Sequence, residues 1–214
     1  MKKYINYLIP PIILIAIGSL VSILFNSIIG SMSWVILVFV YWGGILAIVI
    51  GDSKKMGRTI IGYFKFQNFK WYLIVISLVV GLMPLPIFLM SYKLFATPFL
   101  IVLWILVALI NPFFEELFWR GYMLEKGKDL TFGVKAIIST FLFTLSHPLI
   151  WGVFSKAMLT KELIISVFIM GLVWTYIYKK SKSLVLPYFS HLLVDVFSCS
   201  VLAFMNLLPM THNF

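Results

Sequence analysis

The chain has 214 residues, 62% of them hydrophobic and 11% charged, with a mean hydropathy of +1.07. Soluble domains are about 45–50% apolar and about 25% charged, so an ordinary water-soluble protein is excluded, and so is disorder, which needs low hydrophobicity. The formal net charge of +10 sits in short segments between apolar runs, where the cytoplasmic bias of Lys and Arg accounts for it without nucleic acid. At about 20 apolar residues per helical span, the composition predicts an all-α, polytopic transmembrane bundle of seven or eight spans. It forms a single integral-membrane domain over 1–214, with no room for a soluble one. The alternating pattern of an outer-membrane strand is absent.

Taken in chain order, apolar runs place spans at 4–28, 33–50, 71–91, 97–119 (reaching to 126), 132–150, 162–178 and 184–208. Lys2 and Lys3 precede an apolar stretch from Tyr4 to about Phe25. It is longer than a signal-peptide core and lacks a small-residue cleavage pattern, so it reads as a retained first span. With Lys2 and Lys3 in the cytoplasm, every Lys and Arg except Lys93, Lys156 and Lys161 falls on the cytoplasmic side, which sets the N-terminus inside. The longest loop, 51–70, mixes Ile60, Ile61, Tyr63, Phe64, Phe66 and Phe69 with Arg58, Lys65 and Lys70. That mixture predicts an interfacial helix on anionic headgroups, or alternatively a substrate-docking surface. A break near Cys199 in the last run would create the eighth span. Cys199 is the only cysteine, so no intramolecular disulfide forms and the thiol reads as a small hydrophobe.

Glu115, Glu116, His147, His191 and Asp195 fall inside apolar runs. A charge at mid-membrane costs roughly 2.5–3.5 kcal/mol on insertion scales, so these groups are expected to face one another or a water-filled cavity. Glu116 and Arg120 are four apart with the acid first, the favourable order for an ion pair. Glu115 is turned about 100° away on the same helix. It lacks a local partner and suits general-base work. Pro112 is expected to break and restart the helix, with Asn111 capping the new segment. Phe143 and His147 share one helical face, as do His191 and Asp195. Counted at 1.5 Å per residue, Glu115, His191 and Asp195 lie about 12–18 Å deep and His147 about 25 Å.

Read together, Glu115-Glu116 with Arg120, then Phe143 with His147, then His191 with Asp195 form the pattern E-E-x-x-x-R, F-x-x-x-H, H-x-x-x-[N/D]. Over about residues 105–200 this resembles the type II CAAX prenyl endopeptidase family, also called the CPBP or Abi family of intramembrane proteases. The resemblance implies an endopeptidase in which Glu115 and His147 activate water. It implies that His191 and Asp195 stabilise the tetrahedral intermediate and that Glu116 and Arg120 are the supporting pair. The third motif often ends in Asn. An ionised Asp195 would repel an oxyanion, so Asp195 serves either protonated or as the acceptor that orients His191.

Members of this family are often described as metalloproteases. The donor types for Zn²⁺ are present in Glu115, His147 and His191, with Asp195 beside them, but H-E-x-x-H is absent and no metal is assigned. An aspartyl G-x-G-D pattern and a rhomboid-like Gly-x-Ser nucleophile motif with a partner His are missing as well. The resemblance implies membrane lipids and a membrane-associated peptide or protein as partners, of CAAX, pheromone or bacteriocin-related type, at a bacterial cell membrane. Two other classes stand against it: a non-catalytic membrane partner, such as a bacteriocin-immunity or sensor-kinase regulatory protein, and a proton-coupled transporter. A partner protein would tolerate Glu115→Gln, and a general base would not.

Overall fold

The computed structural model describes residues 2–57, 59–127 and 129–208. Arg58 and Lys128, placed in cytoplasmic loops by the sequence, lie outside the described residues. Among the described residues every regular element is helical. Helix α1 (Lys2–Ile29) reverses through a 3-10 turn at Gly30–Met32 into α2 (Ser33–Met56). Gly30 takes the left-handed φ of 64° that this reversal needs. The two helices pack closely enough that a Cβ on Gly44 would meet Leu14 Cδ1 at 3.1 Å. A single turn, α3 (Ile60–Tyr63), precedes α4 (Trp71–Leu82) and α5 (Leu85–Ser91). Helix α6 (Pro98–Glu116) runs into a widened π turn at Leu117–Tyr122 and ends in α7 (Met123–Glu125). Then come α8 (Phe132–Ile150), α9 (Lys161–Ser181), α10 (Val185–Phe197) and α11 (Ser200–Phe204).

Threonines start several of these helices. Thr59, Thr97, Thr131 and Thr160 each accept a hydrogen bond at Oγ1 from the backbone N–H three residues on, satisfying a donor that the first turn leaves open. Helix α9 ends where Lys182 turns left-handed at φ 55° and its N–H reaches Tyr178 O at 2.7 Å.

Among the described residues five stretches are long and apolar enough to cross a membrane: Tyr4–Asp52, Trp71–Leu94, Pro98–Glu125, Phe132–Val153 and Lys161–Ser181. The first, 49 residues long, contains both α1 and α2. Their outer surfaces carry exposed Ile23, Phe39, Val79, Phe99 and Ile165, while Glu115, Glu116, Arg120 and His191 are buried. This inside-out distribution suits a hydrocarbon solvent.

Two expectations need correction. The 51–70 segment is not an interfacial helix: among its described residues only α3 is helical after α2 ends. The rest docks on the end of the bundle. Tyr63 O accepts from Leu184 N, Lys65 O accepts from Ser183 Oγ, and the Gln67 amide donates to Ser181 O. Phe64 stacks on Phe113 at 4.9 Å. Backbone polar groups in this loop find partners on the 181–184 turn, which removes the need for helix.

Nor does Pro112 restart the helix, since α6 passes through it unbroken. A membrane helix tolerates proline where neighbours take up freed backbone groups. Tyr188 on α10 also donates to the Leu109 carbonyl at 3.1 Å, next to the Ala108 carbonyl that Pro112 leaves without its N–H partner. The irregularity falls later, in the π turn, where Ser139 of α8 donates to Trp119 O at 2.6 Å. Finally, the last run does break at Cys199, which is left-handed at φ 53° and fully buried. The α11 that follows has five residues, too few to cross a membrane.

Candidate active site

The buried ionisable groups come from three separate elements and meet at His191. Helix α6 supplies Glu115 and Glu116, the π turn supplies Arg120, and α10 supplies His191 and Asp195. Glu116 Oε1 accepts from Arg120 Nη1 at 2.9 Å and from His191 Nδ1 at 2.9 Å. On the opposite edge of the imidazole, His191 Nε2 lies 3.5 Å from Glu115 Oε2 and 3.8 Å from Asp195 Oδ1. The 100° offset between adjacent helical residues therefore does not send Glu115 elsewhere. It lets Glu115 and Glu116 face the two nitrogens of one ring. These titratable groups are in mutual contact, so their protons belong to the cluster rather than to single residues.

Asp195 is held from its far side. Its Oδ2 accepts from Asn111 Nδ2 at 3.4 Å, and Asn111 Oδ1 accepts from Trp42 Nε1 at 3.2 Å. Asn111 is thus a buried bridge between α2 and α10, not a helix cap. The carboxylate that holds His191 Nδ1 is Glu116, so the orienting contact considered for Asp195 is already made by another acid.

His147, on α8, is the one of the five intramembrane groups that is only half-buried. Its Nδ1 faces the carbonyl of Phe143 at 2.9 Å. A carbonyl only accepts, so Nδ1 carries the hydrogen of the neutral ring and Nε2 is left as an acceptor. Phe143 lies in T-shaped contact with His147 at 4.9 Å and with His191 at 6.1 Å. Its face carries the Arg120 guanidinium at 4.2 Å.

Several contributors carry no signal in the sequence. Trp174 of α9 stacks on His191 at 4.3 Å. Tyr41 of α2 accepts from Trp119 Nε1 at 3.1 Å and stands beside Glu115. An aromatic residue in an apolar span is indistinguishable by composition from ordinary packing. Among the described residues no group of three or more His, Cys, Asp or Glu side chains is arranged to hold a metal ion. Glu115, His147 and His191, the donors that a Zn²⁺ would use, are not grouped in that way.

Residues 97–197 match the family model of the Rce1-like type II CAAX prenyl endopeptidases. This region belongs to the Rce1-like family. The match begins at Thr97, the cap of α6, and ends at Phe197, the last residue of α10. Neither a curated protein nor a solved structure matches the chain. The Rce1-like region contains every charged group of the cluster, whereas Tyr41 and Trp42 come from the helices before it. The match supports a CAAX-type intramembrane endopeptidase in general terms, and the apolar helices support a multi-pass membrane protein.

Proposed function

We propose that this Rce1-like protein hydrolyses a peptide bond of a membrane-associated substrate with a water held between Glu115 and His147. The observation that carries the reading is the proton bookkeeping of the two histidines. His147 keeps a free Nε2 acceptor because Phe143 O holds its Nδ1. His191 is fixed by Glu116 with Nε2 turned toward Glu115 and Asp195.

In this reading Glu115 or His147 takes a proton from water as its oxygen attacks the scissile carbonyl. His191, protonated at Nε2, donates to the developing oxyanion. Asp195 shares that position as a neutral acid, and the Asn111 amide keeps its other oxygen turned away. When the intermediate collapses, the proton taken from water passes to the leaving amine. Glu116 and Arg120 do not touch substrate; they hold His191 in place. No step is routed through a metal.

The helices suit seven passes with the N-terminus in the cytoplasm: α1, α2, α4–α5, α6–α7, α8, α9 and α10–α11. The substrate class is a CAAX-type, pheromone or bacteriocin-related peptide or protein tethered to a bacterial cell membrane. The test is cleavage of membrane-tethered candidate peptides by purified protein in liposomes, comparing wild type, Glu115→Gln and His147→Ala. A cellular phenotype that survives both substitutions would replace this reading with a non-catalytic membrane partner.

A further inference from the structure

Helix α9 carries none of the motif residues, yet one of its faces packs on Arg120 and His191. Gly171 and Trp174 lie three apart on that face and both are buried. At Gly171 the absence of a side chain is required. A Cβ there would sit 2.9 Å from Thr140 Cγ2 and 3.0 Å from Arg120 Nη2. One turn further on, the Trp174 indole lies nearly parallel to the His191 imidazole, with centroids 4.3 Å apart and planes 18° apart. The same indole is 5.1 Å from the Arg120 guanidinium.

The indole is itself held. Trp174 Nε1 donates to Ser190 Oγ at 2.9 Å, and Ser190 Oγ donates to Ser77 O on α4 at 2.7 Å. Ser190 precedes His191 on α10, so the residue that anchors the tryptophan is the neighbour of the histidine it covers. An imidazole bonded only through Nδ1 can still swing about that bond. A large flat surface against its face removes the swing, and an aromatic face also attracts a cationic ring.

We propose that Trp174 is a positioning residue for His191: it fixes the plane of the imidazole so that Nδ1 stays on Glu116 while Nε2 faces Glu115 and Asp195. The catalytic consequence rests on the endopeptidase reading above; the positioning does not. Trp174 touches no substrate and acts through His191.

The test compares wild type, Trp174→Phe and Trp174→Leu in detergent, with ¹⁵N-labelled histidine. The chain has three histidines, so the His191 signals can be assigned with His191→Asn. A slowly exchanging Nδ1–H resonance is expected in wild type and in Trp174→Phe, which keeps a stacking ring. That resonance should be lost in Trp174→Leu. On a cleaved substrate, Trp174→Leu should lower kcat by about 100-fold, the scale of a roughly 1 Å misplacement. KM should stay within about two-fold, and Trp174→Phe should recover most of the rate.

Retention of the His191 Nδ1–H signal in Trp174→Leu overturns the proposal whatever the activity. Loss of that signal with kcat unchanged overturns its catalytic part. A parallel fall of kcat and thermal stability in both variants reduces Trp174 to core packing and overturns it as well. If no peptide is cleaved by wild type, the endopeptidase reading fails, while the resonance still decides whether Trp174 positions His191.

Discussion

Replacing Arg120 with Met removes the one permanent cation from a cluster that holds Glu115, Glu116 and Asp195. The guanidinium is 1% exposed and its partner Glu116 is 0% exposed, with the pair closed at 2.9 Å. Breaking a buried pair by deleting one member costs about 3–5 kcal/mol, because the other charge stays behind without water or a counter-ion. The attraction of Arg120 to the Phe143 face at 4.2 Å, worth about 2 kcal/mol when desolvated, is part of that sum. For a chain of this size each kcal/mol moves Tm by about 2–4 °C. Arg120→Met should therefore melt on the order of 10 °C below wild type in a detergent thermal-unfolding assay.

The double variant Glu116→Gln with Arg120→Met removes both charges. Exchanging a buried pair for neutral groups of similar volume is often close to neutral in stability, so most of the lost Tm should return. Cleavage should not return, because His191 Nδ1 has lost its charged acceptor. A single variant that melts within about 2 °C of wild type would refute the buried-pair reasoning. So would a double variant no more stable than the single one.

Other consequences are smaller or more local. Gly171→Ala should destabilise by about 1–3 kcal/mol through overpacking, and Thr140→Ser, which removes the Cγ2 it meets at 2.9 Å, should restore part of the loss in the same melting assay. Gly81→Ala places a methyl 2.9 Å from Leu193 Cβ and 3.1 Å from Ser190 O. It should push α4 off α10 and lower both Tm and cleavage, whereas an unchanged Tm would show that the helices are not in close contact. Asp52→Asn breaks the half-buried contact with Lys126 at 2.6 Å. For a partly exposed pair the effect should stay at or below about 1 kcal/mol and shrink as salt is raised.

The helices were legible because a membrane span announces itself by length. Runs at 132–150 and 162–178 became α8 and α9 with ends shifted by a few residues at most. The Glu116–Arg120 contact could be read from i, i+4 spacing, since both groups sit on one helical stretch and few local alternatives exist. What lies across helices was not legible. That Glu115 meets His191 depends on how α6 and α10 face each other, and a sequence period fixes only which residues share a face. Asn111 followed the same logic. Next to a proline it looked like a cap, but the packing of α2 and α10 gave its amide two buried partners. Trp174 and Tyr41 were invisible because an aromatic residue in an apolar run carries no periodic or charge signal. The loop after α2 misled for a related reason. Mixed basic and aromatic residues suit an interfacial helix equally well as a docked loop, and the deciding contacts come from residues 181–184, more than a hundred positions away.

The proposed activation of water by Glu115 and His147 can be tested by substituting each residue. The most direct measurement is turnover of a membrane-tethered peptide in liposomes by wild type, Glu115→Gln and His147→Ala, each with and without a chelator. Both variants should stay folded and lose about 10²–10⁴-fold in rate, the usual contribution of a positioned acid or base. The chelator arm decides separately whether a metal supports the wild-type rate. A Glu115→Gln variant that cleaves at the wild-type rate contradicts the general base. A His147→Ala variant that cleaves at the wild-type rate likewise contradicts its part in activating water.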